Sequence, residues 1–242
     1  MKRRLLLFMV LLCFPVITLA KESENILAQE IKYYKTTTIN KGTISVMSNS
    51  LGVNTVEISK EEYESSNSNN IMPNTIIETE YKKMTTTISK VNSNYRYKVN
   101  LEWKNIPKIR SYDTIAIGFP SSVKPKMTPI FSEEYCNSSG CHNTSGYHYM
   151  YSGKNGVGVT FQVPSGDLKS MNQTLYVDME KNTSSTIITQ YAYGDYAHAV
   201  KSISLGSAKN YTVSTIGIKY DSSNISYYDE INYARATWNG NW

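Results

Sequence analysis

An all-β fold, an antiparallel β-sandwich or jelly roll with a short N-terminal extension, is what this 242-residue sequence predicts. Three observations predict it. Apolar and polar residues alternate with a period of two in segment after segment, which is strand chemistry. Turn-forming residues sit between those segments at hairpin spacing. No long segment carries a helical period.

The clearest strand is YRYKVNLEWK. Tyr95, Tyr97, Val99, Leu101 and Trp103 point one way, and Arg96, Lys98, Asn100, Glu102 and Lys104 point the other. Ile76–Val91 precedes it, rich in Thr and Ile, and Asn92–Asn94 supplies the turn of a long hairpin. SYDTIAIGF follows with Ile115, Ile117 and Phe119 on one face, then a loop holding Pro120, Pro125 and Pro129. YHYMYSGKNGVGVTFQV reads as a second hairpin turning at Gly153–Gly156, and TLYVDMEKNTSSTIITQYAY as a third turning at Asn182–Ser185. KNYTVSTIGIKY and ISYYDEINYARATW add strands near the end, although Tyr227, Ile231, Ala234 and Trp238 also fit a helical stripe. Asn25–Lys32 admits a short helix, and Tyr63–Asn74 is a polar, low-complexity linker. A strand with one buried face is not stable alone. Burying a large apolar side chain contributes roughly 1.5–3 kcal/mol, and ordering the backbone costs about 1–2 kcal/mol per residue. A second sheet is therefore required.

The organisation expected is a leader at 1–20, an N-terminal segment and polar linker at 21–75, and a β-sandwich domain at 76–242. Lys2, Arg3 and Arg4, an apolar run over 5–17 and a small residue at Ala20 have the layout of a secretory signal peptide. The run is shorter than the roughly 20 apolar residues that span a bilayer. A secreted, extracellular protein with no transmembrane segment after cleavage is the expectation. The formal charge of +5 mostly belongs to this leader, because setting Lys2, Arg3 and Arg4 aside leaves 22 basic against 20 acidic residues. That balance calls for no nucleic acid partner.

The cysteines carry the next reading. Cys13 lies in the leader, so Cys136 and Cys141 are the pair left to an exported chain. A disulfide across Asn137–Gly140 is preferred, because export supplies the oxidant. The alternative is zinc on Cys136, Cys141, His142 and His148, but these spacings depart from the usual two-to-four-residue ligand pairs. No metal and no cofactor is expected. His198 with Asp195 is a candidate acid–base pair, and the carboxylate pairs Glu78/Glu80 and Glu133/Glu134 are candidates for a hydrolase. None stands in a recognised catalytic motif, and the glycines of GVGVTF match no phosphate loop. No catalytic residue is assigned. Tyr147, Tyr149 and Tyr151 share one strand face, and an exposed row of tyrosines suits stacking on sugars or partner surfaces.

Trp103-Lys104, Pro107 and Arg110-Ser111-Tyr112-Asp113 resemble a run in uncharacterised exported proteins of Gram-positive bacteria, as do YAHA at Tyr196–Ala199 and YYDEI. The resemblance implies export and a shared fold and implies no activity. The function expected is surface binding by a non-enzymatic exported sandwich, the partner being an envelope polysaccharide, a glycan or a protein. A hydrolase with an unrecognised site is one alternative. A membrane-active toxin is another, opposed by the lysines in 76–91, each costing roughly 2–4 kcal/mol at mid-bilayer. Nothing in the sequence sets an oligomeric state.

Overall fold

A computed structural model describes residues 23–39, 52–66, 77–229 and 232–242. The leader at 1–20 and most of the linker lie outside the described residues. The chain is an all-β sandwich, and its two main sheets are antiparallel throughout. The first sheet runs β2 (Gly52–Ile58), β1 (Glu24–Ile39), β3 (Ile77–Val91), β4 (Asn94–Trp103), β11 (Leu168–Lys181), β7 (Ile130–Asn137), β8 (Gly140–Thr144), with β6 (Val123–Pro125) added to the end of β11. The second runs β15 (Asn232–Asn239), β12 (Thr189–Ala197), β5 (Tyr112–Gly118), β10 (Gly156–Gln162), β9 (Tyr149–Gly153).

The predicted alternation in β4 is observed: Tyr95, Tyr97, Val99, Leu101 and Trp103 are buried while the residues between them are half-buried. Tyr97, Val99, Leu101 and Trp103 share a core with Ile115, Ile117, Val157, Val159 and Phe161 from the second sheet, and Tyr95 packs on Trp238 and Trp242. Phe131 on β7 faces Phe161 on β10 with ring centroids 4.9 Å apart. The sheets approach closely where β12 carries Gly194. A Cβ there would stand 2.1 Å from Thr86 Oγ1 and 2.8 Å from a Val99 methyl, so only glycine fits.

Strands β5 and β10 are buried on both faces, which plain alternation did not foretell. The reason is a third layer. The hairpin of β13 (Tyr211–Ser214) and β14 (Gly217–Tyr220), with the short helix α2 (Leu205–Ala208), covers the outer face of the second sheet. Its core gathers Ala116, Ala197, Tyr211, Val213, Ile218, Tyr220 and Tyr228. Gly156 lets Val213 approach, since an added Cβ would sit 2.3 Å from a Val213 methyl.

Three expectations are corrected. Asn25–Lys32 is strand, because β1 pairs with β3 from Glu24 to Ile39 and satisfies the backbone groups of that edge. A short helix, α1 (Lys60–Ser65), capped by Ser59, occupies the start of the polar segment. The segment turning at Asn182–Ser185 is not a hairpin: β11 belongs to the first sheet and β12 to the second, so it is a crossover. The other two hairpins form with the expected turns, β3–β4 at Asn92–Ser93, where Asn92 adopts φ 54°, and β9–β10 between Gly153 and Gly156. The last strand, β15, turns Ala234 and Ala236 inward, so strand and not helix wins there.

Candidate functional site

Two clusters of polar side chains stand out, one sealed between the sheets and one open at the edge of the sandwich. The sealed cluster is built from strand ends. β3 turns Glu80 and Lys82 toward the interior, in step with Met84 and Ile88. β5 contributes Asp113, β12 and the residues after it contribute Tyr196 and His198, and the chain before β15 contributes Asp229. Asp113 accepts hydrogen bonds from the Tyr196 hydroxyl, from His198 Nδ1 at 2.9 Å and from the Ala199 amide at 2.9 Å. Asp229 accepts from the Lys82 ammonium and from the His198 amide at 2.9 Å. Trp103 closes the group, edge-on to His198 at 5.1 Å and to Tyr196 at 5.9 Å, with the Lys82 ammonium 5.1 Å from its ring.

Burial alone would push the His198 imidazole down. The Asp113 carboxylate, in contact with Nδ1, outweighs it and holds the group above its ordinary value. For Tyr196, burial and then Asp113 both push the phenol up. Burial also raises Glu80, against the pull of His198 and Lys82. Lys82, Asp113 and Tyr196 are fully buried and His198 is 1% exposed, and Glu80, at 9%, keeps a small opening toward solvent.

The predicted pairing of His198 with Asp195 is not formed. Adjacent positions on β12 face opposite sides: Tyr196 enters the interior, and Asp195 turns outward to accept the Ile218 amide at 2.7 Å under the β13–β14 layer. Asp113, which sequence reasoning passed over, takes the role instead. Trp103, Asp113, Tyr196, His198, Ala199 and Asp229 converge here from distant parts of the chain. Of the carboxylate pairs, Glu80 and Glu133 point inward. Glu134 points to solvent, and the side chain of Glu78 lies outside the described residues.

The open cluster occupies a cleft of about 460 Å³. It is lined by the β7–β8 hairpin, the connection from β8 to β9 and the end of β10 with the residues after it. Glu133 forms its base; Tyr135, Tyr147, His148, Gln162 and Ser165 line its walls. Burial pushes the Glu133 carboxyl up to about 7, a rise that the Gln173 amide, donating at 3.0 Å, only partly opposes and Asp113 adds to. The base of the cleft therefore holds a carboxyl that changes charge near neutrality.

Cys136 and Cys141 are joined by a disulfide, facing each other across the β7–β8 ladder. The zinc alternative thereby loses two of its four ligands. His142 stacks on Tyr135 at 5.2 Å on the same hairpin, and His148 meets Tyr112 edge-on at 5.2 Å on the other side. The three tyrosines divide. Tyr147 is 44% exposed at the cleft mouth, whereas Tyr149 and Tyr151 are half-buried against Tyr211 of the third layer, at 6.0 and 5.7 Å.

No protein-family model matches the sequence, and neither does any curated protein. Among solved structures, the collagen-binding domain of the Erysipelothrix rhusiopathiae surface protein RspB aligns with 68% of this chain at 8% identity and a TM-score of 0.32. The match spans 66% of that domain, just under two thirds of its length. At that score the likeness carries no argument about fold or ligand. Among the described residues, no helix is long and apolar enough to cross a membrane.

Proposed function

We propose that the protein is an exported β-sandwich that acts by binding, with the cleft at Glu133 as its binding site. One observation carries this reading: the open polar site is walled by Tyr135, Tyr147 and His148 and based on a carboxyl, while the other polar cluster is almost closed to solvent. Aromatic walls with a few convergent donors and acceptors suit a ring-bearing polar ligand, such as a saccharide unit of an envelope polysaccharide or glycan. A leader-like N-terminus and the disulfide support export.

The rise of Glu133 to about 7 favours a second reading, in which the cleft donates a proton in hydrolysis. Glycoside hydrolysis ordinarily uses two carboxyl groups, and Glu133 is the one acidic side chain among the described residues lining the cleft. Binding is therefore the better-supported reading. The test is titration of the mature protein with cell-wall fragments and a glycan panel, in parallel with Tyr147→Ala and Glu133→Gln. Saturable binding weakened by both changes is expected. Absence of binding to every fragment would sink the reading, and shortened oligosaccharides after incubation would favour the hydrolase.

A further inference from the structure

The sealed cluster holds a pair of groups that together contain everything needed to form an amide. Lys82 and Asp229 lie 147 residues apart in sequence, yet the ammonium nitrogen touches the carboxylate and neither side chain is exposed. Around them stand Trp103, Tyr196 and the inward carboxyl of Glu80, one of whose oxygens is buried without a hydrogen-bond partner among the described residues. Glu80 precedes Lys82 by two positions on β3, so both side chains leave the same face of the strand. Glu80 also feels the charges of Lys82, Asp229 and His198.

We infer that Lys82 and Asp229 condense to an intramolecular isopeptide bond, with Glu80 relaying the proton. An ion pair in a dry interior loses much of the solvation that keeps it ionic, and proton transfer within it yields the neutral amine and acid. The Lys82 nitrogen lone pair then attacks Cγ of Asp229. A C–N bond forms as the carbonyl π pair moves onto oxygen. Glu80 accepts a proton from nitrogen and returns it to the departing hydroxyl. The C–O bond breaks, and one water leaves. Reactants and products carry the same net charge, Glu80 ends as it began, and no oxidant or other co-reactant is needed. Holding the two groups in contact in the folded chain supplies the proximity that makes this condensation accessible without a second protein. His198 and Asp113 position the reaction: the His198 amide holds one Asp229 oxygen, and Asp113 holds the imidazole. The product ties β3 of the first sheet to the chain entering β15 of the second, across 147 residues of sequence.

The test is the intact mass of the full chain, reduced and denatured, followed by a tryptic map. A mass one water below that of the sequence from its observed N-terminus is expected. So are resistance to trypsin after Lys82 and a branched peptide joining the Lys82 and Asp229 segments. Lys82→Arg, which keeps the charge but is a poor nucleophile, restores the lost water. Glu80→Gln, folded by circular dichroism, forms the bond on the order of 10²-fold more slowly in freshly synthesised chain. An unmodified parent mass with two separate peptides overturns the proposal, and unchanged kinetics in Glu80→Gln overturn the role given to Glu80.

Discussion

The interior cluster around Asp113 and the edge cleft around Glu133 use the same side-chain types, carboxylate, imidazole and phenol, to opposite ends. In the interior, Asp113 is fully buried and surrounded by donors from Tyr196, His198 and Ala199. At the edge, Glu133 has the Gln173 amide as its protein donor and a cleft in front of it. Carboxylates gain structural value when the fold saturates them and chemical value when it leaves capacity for a ligand. Both carboxyls are buried, so it is the cleft that Glu133 lines, more than residue type or burial, that separates the two.

The largest effect that would break this comparison lies in the interior. Asp113→Ala leaves the imidazole, the phenol and a backbone amide buried without their acceptor, and is expected to cost about 3–5 kcal/mol in denaturant unfolding. A loss within the scatter of surface substitutions would show that the cluster is not a structural unit. Reduction of Cys136–Cys141 comes next. Opening so small a ring is expected to cost about 2 kcal/mol by the loop-entropy relation and to weaken ligand binding, since the hairpin forms a cleft wall. Unchanged affinity after reduction would separate the staple from the site.

The effect of pH sharpens the contrast further. Both His198 and Glu133 bind protons more tightly in the folded protein than in the unfolded chain. Each contribution is therefore complete below the unfolded value and is lost as pH rises through the folded one. For Glu133 the window runs from its ordinary 4.5 to about 7. The stability of the parent is expected to fall across that window, and that of Glu133→Gln to fall less. Equal slopes in urea titrations of the two proteins would show that the Glu133 carboxyl is solvated. The smallest effect is at the tyrosines. Tyr147→Ala should leave stability within about 0.5 kcal/mol and weaken ligand binding by about 1 kcal/mol, whereas Tyr149→Ala should cost stability through its contact with Tyr211. Calorimetry on both variants with the same ligand reads the difference.

Much of the architecture was legible beforehand. In β4 the period-two pattern marks the buried row directly, because one face meets a dry sheet and the other does not. The turns at Asn92 and at Gly153–Gly156 were legible for the same local reason. The third layer was not, since nothing in GVGVTF distinguishes a glycine facing solvent from one pressed by Val213. The crossover after β11 was also hidden: a turn-like segment looks the same whether the next strand pairs beside it or across the core. The interior cluster had a faint mark, Glu80 and Lys82 sharing the inward phase of Met84 and Ile88, but in the sequence Lys82 reads as a charge opposing membrane insertion and Glu80 as half of the Glu78/Glu80 pair.

What the sequence determined by itself was the class of the fold, the alternating faces and the cysteine pair, because each depends on residues a few positions apart. Tertiary structure alone decided which charges were sealed and which were left open. Lys82 and Asp229, or Asp113 and His198, meet across 147 and 85 residues respectively, and burial depends on how two sheets and a covering hairpin stack, which no local period encodes.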